Sequence, residues 1–370
     1  MKTKLITEKL NTCLSYIGMI VKGDGLVPIY NQIQLDFKDN ILEISAYDNS
    51  YGVQVKYGKC EHPNGRYLID GPSFIHLLKF SSSIEIEVDF QEGQLVVKEQ
   101  GNKYNFIYFK NERDVDLSYI FTTYSELPEP IVQITSKEFS EVYKFLSPTI
   151  GQDVARPFLM GIQYDGNFVA TDGNNCGVYS YKPLQEKKIF LPKGGLDFLC
   201  SFPNEEPFSI YDVNNMIVIV WNNVEFVIPQ INGAYPNYHV LSERTKSYPF
   251  TVKLNKAEFY RSCQKLVPFA DKHMRKFCSA IFMTDGSVLI SAASEGTKAG
   301  QESVKPLEAT VPDKDLLIHP SIKKLAELIA AHSCENLTIR FSSNSAAPLV
   351  LTDNNVGFHY MSVFNLSQEG

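Results

Sequence analysis

The residues able to do chemistry are dispersed. Of the seven histidines, none lies in the HExxH or HxH spacing that a metalloenzyme uses. The seven cysteines, Cys13, Cys60, Cys176, Cys200, Cys263, Cys278 and Cys334, are odd in number and no two are closely spaced. They read as free thiols packed as small hydrophobes, not as a disulfide framework or a zinc site. Asp48-Asn49-Ser50 and Asp212-Val213-Asn214-Asn215 resemble fragments of a calcium loop but lack its terminal glutamate. Lys193-Gly194-Gly195 could cradle a phosphate at a helix start, yet the rest of a P-loop is missing. No GxSxG is present. The expectation is a non-catalytic protein without metal or cofactor.

The elements around these residues repeat. Thr7-Glu8-Lys9-Leu10, Ser136-Lys137-Glu138-Phe139 and Asn255-Lys256-Ala257-Glu258-Phe259 each place a capping residue before a charged first turn. Apolar residues follow at helical spacing: Leu10, Leu14, Ile17 and Val21; Phe139, Val142 and Leu146; Phe259, Cys263 and Leu266. After each helix come two alternating segments joined by a polar turn: Lys38-Asp39-Asn40, Asp165-Gly166-Asn167 and Thr284-Asp285-Gly286-Ser287. A second helix then starts near Pro72, Lys193 and Pro320, and further strands close each unit. The order helix–hairpin–helix–strands thus occurs three times. Thr123–Ile131 and Leu241–Pro249 read as linkers, and Ser294–Val304 as a loop. The fold class is α+β: three tandem two-layer domains, each with two helices on an antiparallel sheet, at 1–125, 126–245 and 246–370.

Charge separates along the same lines. The chain carries a net −7, too acidic to grip nucleic acid over its whole surface. The six helix windows (7–22, 70–80, 136–150, 193–202, 255–276 and 320–331) nevertheless hold 14 Lys and Arg against 8 Asp and Glu. Helices are basic while sheets and loops are acidic. Any one lysine is ordinarily a solvated helix face; a basic helical face on an acidic protein suits phosphates on one side only. No apolar run reaches the length of a membrane span, and the first residues lack a signal-peptide pattern, so a cytoplasmic setting is expected.

Four stretches resemble the β subunit of bacterial DNA polymerase III, the β sliding clamp family. They are Leu26-Val27-Pro28-Ile29-Tyr30-Asn31, Gln152–Gly161 with Val169-Ala170-Thr171-Asp172-Gly173, Asn232–Tyr238, and Tyr360–Leu366. The resemblance spans essentially the whole chain. It implies a homodimer closed head to tail into a pseudo-sixfold ring around double-stranded DNA. Such a ring is a processivity factor in DNA replication, and it holds DNA polymerase and the clamp loader through short linear peptides.

Carried over residue by residue, the peptide cleft would comprise Leu159, Thr171, Gly173, Asn174, Asn175, Cys176, Pro236, Val240, Tyr360, Met361, Ser362 and Val363. The resemblance places Lys22 and Gln152 against DNA; helix placement adds Lys79, Lys193, Lys272, Arg275, Lys323 and Lys324. Leu266 and Val267 would lie at the dimer contact. Two departures stand out. Asn174-Asn175 replace the family's positively charged pair, and Met361-Ser362-Val363 replace its Met-Pro-Met. They point to a divergent partner, such as a phage-type polymerase. The alternative is a nucleic-acid-processing enzyme or a β-rich repeat array. The first would need convergent acidic or His/Cys residues, and the second would not need basic helices.

Overall fold

The computed structural model describes residues 2–21, 31–48, 50–110, 127–181, 187–200, 206–231, 233–270, 278–294, 298–353 and 356–363. One order of elements occurs three times, with one added strand, β21, in the third. The first set is β1 (Lys2–Ile6), α1 (Thr7–Ile17), β2 (Gln32–Lys38), β3 (Ile41–Tyr47), β4 (Gly52–Lys59), β5 (Gly65–Asp70), α2 (Gly71–Lys79), β6 (Glu85–Gln91), β7 (Gln94–Glu99) and β8 (Asn102–Lys110). The second is β9 (Val132–Thr135), α3 (Ser136–Leu146), β10 (Gly161–Tyr164), β11 (Asn167–Thr171), β12 (Cys176–Ser180), β13 (Ile189–Pro192), α4 (Lys193–Leu199), β14 (Pro207–Val213), β15 (Met216–Trp221) and β16 (Val224–Pro229). After α5 (His239–Lys246) the third runs β17 (Phe250–Asn255), α6 (Lys256–Leu266), β18 (Ser279–Phe282), β19 (Val288–Ser294), β20 (Lys298–Val304), β21 (Glu308–Thr310), β22 (Leu316–Ile318), α7 (Ile322–Ala331), β23 (Asn336–Phe341), β24 (Leu349–Thr352) and β25 (Gly357–Met361).

The helix starts follow from local chemistry. Asp70 caps α2 by accepting from the Ser73 N–H at 3.0 Å, with Pro72 in the first turn. Asn255 caps α6 through the Glu258 N–H at 3.0 Å, and Ser321 caps α7 through the Lys324 N–H. Thr7 is not a cap: Ile6 takes that position and Thr7 lies inside the first turn. The β2–β3 turn places Asp39 and Asn40 at φ +53° and +61°, which short polar side chains tolerate best.

Several expectations need correction. Each set opens on a strand, β1, β9 or β17, and not on the helix. Leu241–Pro249 is mostly α5, and Ser294–Val304 contains β20, which pairs with β19 from Val288↔Val304 to Ser294↔Lys298. Polar sequence hid that strand because it carries few apolar side chains to alternate. The first helix ends at Ile17, α4 at Leu199 and α6 at Leu266, each shorter than its window.

The chain forms two compact units, residues 1–136 with 197–230, and residues 137–196 with 231–370. In the first, one antiparallel sheet runs β1-β6-β7-β8-β5-β2-β3-β4-β16-β15-β14-β9. Helix α1 packs on β3 and β4 and against α2, burying Leu10, Leu14 and Ile17. Each such side chain contributes about 1.5–3 kcal/mol relative to exposure. In the second unit, a nine-stranded sheet runs β13-β10-β11-β12-β25-β24-β23-β17-β21 and a four-stranded sheet runs β20-β19-β18-β22. Helices α6 and α7 pack against each other over a core that includes Phe259, Phe282, Leu325 and Phe341.

Strand pairing explains why these units do not follow the repeats. The third strand after each first helix joins the last strand of the next set: β4 pairs with β16 through Val55↔Val224 to Gly52↔Val227, and β12 pairs with β25. Each join continues a sheet across two sets, so the middle set is shared between the units.

Candidate functional site

Several of the residues expected in the cleft lie at the β12–β25 join: Thr171, Asn175, Cys176, Tyr360 and Ser362. Thr171 ends β11 opposite Cys176, and Cys176 faces Tyr360 across the join. The intervening turn is held by its own side chains. The Asp172 carboxylate accepts from the Asn174 and Asn175 N–H groups at 2.9 and 2.7 Å and from Asn175 Nδ2 at 3.0 Å. Thr171 Oγ1 donates to the Asn175 carbonyl at 2.7 Å and accepts from the Gly173 N–H at 3.1 Å. Gly173 sits at φ +91°, and a Cβ there would lie 2.9 Å from the Arg156 guanidinium. The Leu159 side chain flanks the same position.

Strand alternation decides which residues meet. Cys176 and Val178 on β12 and Tyr360 on β25 form one apolar cluster with Val169, Val350 and Tyr238. Tyr235, Leu241 of α5 and Tyr248 pack on it, and the Tyr235 hydroxyl donates to the Val169 carbonyl at 3.1 Å. Gly177 and His359 face the opposite side. There a Cβ on Gly177 would come within 2.9 Å of Leu146, Thr149 and His359. His359 stacks on Phe145 of α3 with ring centroids 4.2 Å apart.

Met361 is expected from the sequence to offer adaptable contact area in the cleft. It is two residues from His359, shares its face of the sheet, and is 1% exposed in the helix-side core. Leu159, Thr171, Asn175, Cys176 and Tyr360 are also buried. Ser362 and Val363 are half-buried, while Gly173, Asn174, Pro236 and Val240 are exposed. Val240, at the start of α5, exposes 53% of its surface and is the most open apolar side chain among the cleft residues.

The groups here are not poised for acid–base or nucleophilic work. Burial, with a smaller contribution from Asp172, pushes the Cys176 thiol up to about 12, and burial also raises Tyr235 and Tyr360. The apolar cluster at the join is buried, with Pro236 and Val240 exposed and the Asp172 turn supplying directed polar groups. Sequence reading missed Arg156, Tyr235, Leu241 and Tyr248. The last three belong to a short polar helix and its flanks, with too few turns to show a period.

Of the residues expected to face DNA, Lys22, Lys272 and Arg275 lie outside the described residues. Lys79, at the end of α2, and Lys193, at the start of α4, are exposed. Gln152, Lys323 and Lys324 line one concavity of the second unit with Asp172 and Glu327. Lys324 is engaged there: its Nζ donates to the Pro148 carbonyl at 2.6 Å and lies 3.4 Å from Asp172 and 3.5 Å from Glu327. Lys323 is more open, 3.7 Å from Glu327. Leu266, expected at a dimer contact, is buried in the core, and Val267 packs against it. No helix among the described residues is long and apolar enough to cross a membrane.

No protein-family model matches the chain. Over 369 residues it is 19% identical to the beta sliding clamp of Synechococcus elongatus, covering 95% of each chain. The DNA polymerase sliding clamp of Bacillus subtilis superposes with a TM-score of 0.83 at 15% identity over 99% of both chains. A putative DNA polymerase III beta subunit from Eubacterium rectale gives 0.84 at 17% identity, covering 99% of this chain and 100% of that one. The Pseudomonas aeruginosa sliding clamp gives 0.85 at 15%, with the same coverage. The chain therefore has the fold of the bacterial DNA polymerase β sliding clamps, the family its sequence resembles.

Proposed function

We propose that this protein is a non-catalytic sliding clamp, a replication processivity factor that encircles duplex DNA as a head-to-tail homodimer and tethers a DNA polymerase. The observation that carries the reading is the pairing rule between repeats. β4 finds β16 and β12 finds β25. β20 is the equivalent strand of the third set, and among the described residues it pairs with β19 alone, at one end of its sheet. The corresponding last strand of the first set is β8, whose Tyr104 and Ile107 are 37% and 74% exposed. β8 pairs with β7 through Asn102–Ile107 but with β5 only through Tyr108–Lys110, so β20 of a second copy could join the Asn102–Ile107 stretch by the same rule, twice over. Two such joins would close a head-to-tail ring of two chains and cover the outer side of β20.

The reading divides each chain into three domains at 1–125, 126–245 and 246–370. It places the basic helices toward the duplex and the cleft around Gly173 and Val240 toward partner peptides from the polymerase and the clamp loader. Contacts to phosphate would be loose and exchangeable, because tight ones would arrest sliding. A replication clamp of this kind would work in the cytoplasm.

The experiment is retention on DNA. The protein is loaded on nicked circular DNA and the circle is then linearised. Release on linearisation, together with a solution mass of about two chains of 41.8 kDa, is the expected result. A monomer that binds linear and circular DNA alike would overturn the reading.

A further inference from the structure

A chain of buried polar groups runs from the end of α7 to α3. Nε2 of His359 lies 2.9 Å from the Phe145 carbonyl. Nδ1 of His359 lies 3.0 Å from Nε2 of His332. Nδ1 of His332 faces Oδ2 of Asp353 at 3.5 Å. The two side chains of this last pair are 0% and 3% exposed. The Phe145 carbonyl only accepts, so His359 must carry its proton on Nε2 and present a lone pair at Nδ1. His332 must then donate from Nε2, which leaves its Nδ1 bare. Two acceptors, an imidazole lone pair and a carboxylate oxygen, therefore confront each other out of water. Each of the three junctions needs one hydrogen or ion between its two atoms, and two neutral imidazoles supply two N–H hydrogens.

The missing charge is either a proton or a metal ion, and the geometry distinguishes them. A proton shared between imidazole and carboxylate would draw nitrogen and oxygen to about 2.7–2.9 Å. An ion bonded to both at about 2.0–2.2 Å in tetrahedral geometry holds them roughly 3.3–3.5 Å apart. A third ligand stands beside the pair. The chain leaves α7 at His332 in extended conformation, φ −75° and ψ 139°, so His332 and Cys334 project to one side. The His332 nitrogen, the Cys334 sulfur and an Asp353 carboxylate oxygen all lie within 4.8 Å of one another.

We propose that His332 Nδ1, Cys334 Sγ and Asp353 bind a zinc ion, with His359 and the Phe145 carbonyl as the outer groups that fix the His332 tautomer. Imidazole, thiolate and one carboxylate suit zinc; calcium and magnesium favour oxygen alone. The hydrogen-bonded histidine behind the ligand is the usual support for such a ring. Cys334 is half-buried, so water completes the fourth position. Binding displaces the Cys334 thiol proton to solvent, and the thiolate takes its place on the metal. Through His359 the ion would also brace α3 against β25, at the second sheet join.

The test uses cobalt(II) chloride, then zinc chloride, on the dialysed full-length protein. One cobalt per chain with a near-ultraviolet sulfur-to-cobalt absorption, displaced by one equivalent of zinc, is expected. Cys334→Ser should abolish that absorption and weaken zinc binding at least the roughly 10- to 100-fold that an outer-shell change alone costs. Cys200→Ser, at the other half-buried cysteine, should leave both unchanged. Absence of the sulfur band on folded wild-type protein would overturn the proposal, as would a band that survives Cys334→Ser. Nitrogen NMR showing both His332 ring nitrogens protonated would do the same, because a proton would then fill the junction.

Discussion

The backbone N–H of Ser362 donates to the side-chain oxygen of Asn175 at 3.3 Å. These two residues sit in the two stretches that depart from the sliding-clamp pattern, where a charged residue and a proline would stand. Proline has no N–H to give, so the serine and the asparagine compensate each other. Ser362→Pro should strand the side-chain oxygen of Asn175, a residue only 7% exposed, and cost about 1–2 kcal/mol in urea unfolding. With Asn175→Ala already present the same change should cost measurably less; strict additivity of the two would show the bond to be idle.

Acidity at the first sheet join gives a second prediction. Burial, with Glu43 nearby, raises the Glu225 carboxyl to about 7, and its Oε1 meets no hydrogen-bond partner. The folded state thus holds this proton more tightly than the unfolded chain. That stabilisation is full below about pH 4 and is lost as pH rises through about 7. Glu225→Gln should therefore stabilise the protein by about 1–2 kcal/mol at pH 8, after discounting for partial solvent exposure, and be nearly neutral at pH 4. Denaturant titrations at the two pH values separate this from a uniform effect.

Lys323 and Lys324 are neighbours in sequence with different expected roles. Lys324 is engaged by Pro148, Asp172 and Glu327, so Lys324→Ala should lower stability more than DNA retention. Lys323→Ala should leave stability within about 0.5 kcal/mol. It should also reduce the salt dependence of DNA binding by about one counterion per chain. Melting curves and binding isotherms over a salt series check both halves.

Val240, proposed to line the peptide cleft, is 53% exposed. Val240→Asp should weaken binding of a hydrophobic polymerase peptide at least about tenfold, the scale of a 1.4 kcal/mol loss, without altering the solution mass. Fluorescence anisotropy with a labelled peptide reads the effect. Unchanged affinity would move the peptide site away from α5.

Ile107 tests the ring. Its side chain is 74% exposed on β8, in the stretch proposed to meet β20 of a second copy. Ile107→Glu should shift light-scattering mass from two chains toward one and abolish retention on circular DNA. A dimer of undiminished affinity would place the contact elsewhere.

The three-part plan, the antiparallel class and the basic helices were legible in the sequence because they rest on local signals. Asn255 and Ser321 are caps that act within one turn, and Leu10, Leu14 and Ile17 repeat with the helix itself. Asp165-Gly166-Asn167 codes a hairpin turn on its own. Strand β20 and helix α5 escaped, since the first is held by pairing to β19 and the second by the sheet beneath it. Only tertiary structure decided that Met361 and Tyr360 enter different cores on opposite faces of the sheet. One residue of register on a pleated strand reverses the face, and the pairing of β12 with β25 sets that register. The same long-range pairing brought His332, Cys334, Asp353 and His359 together, which no spacing along the chain could have announced.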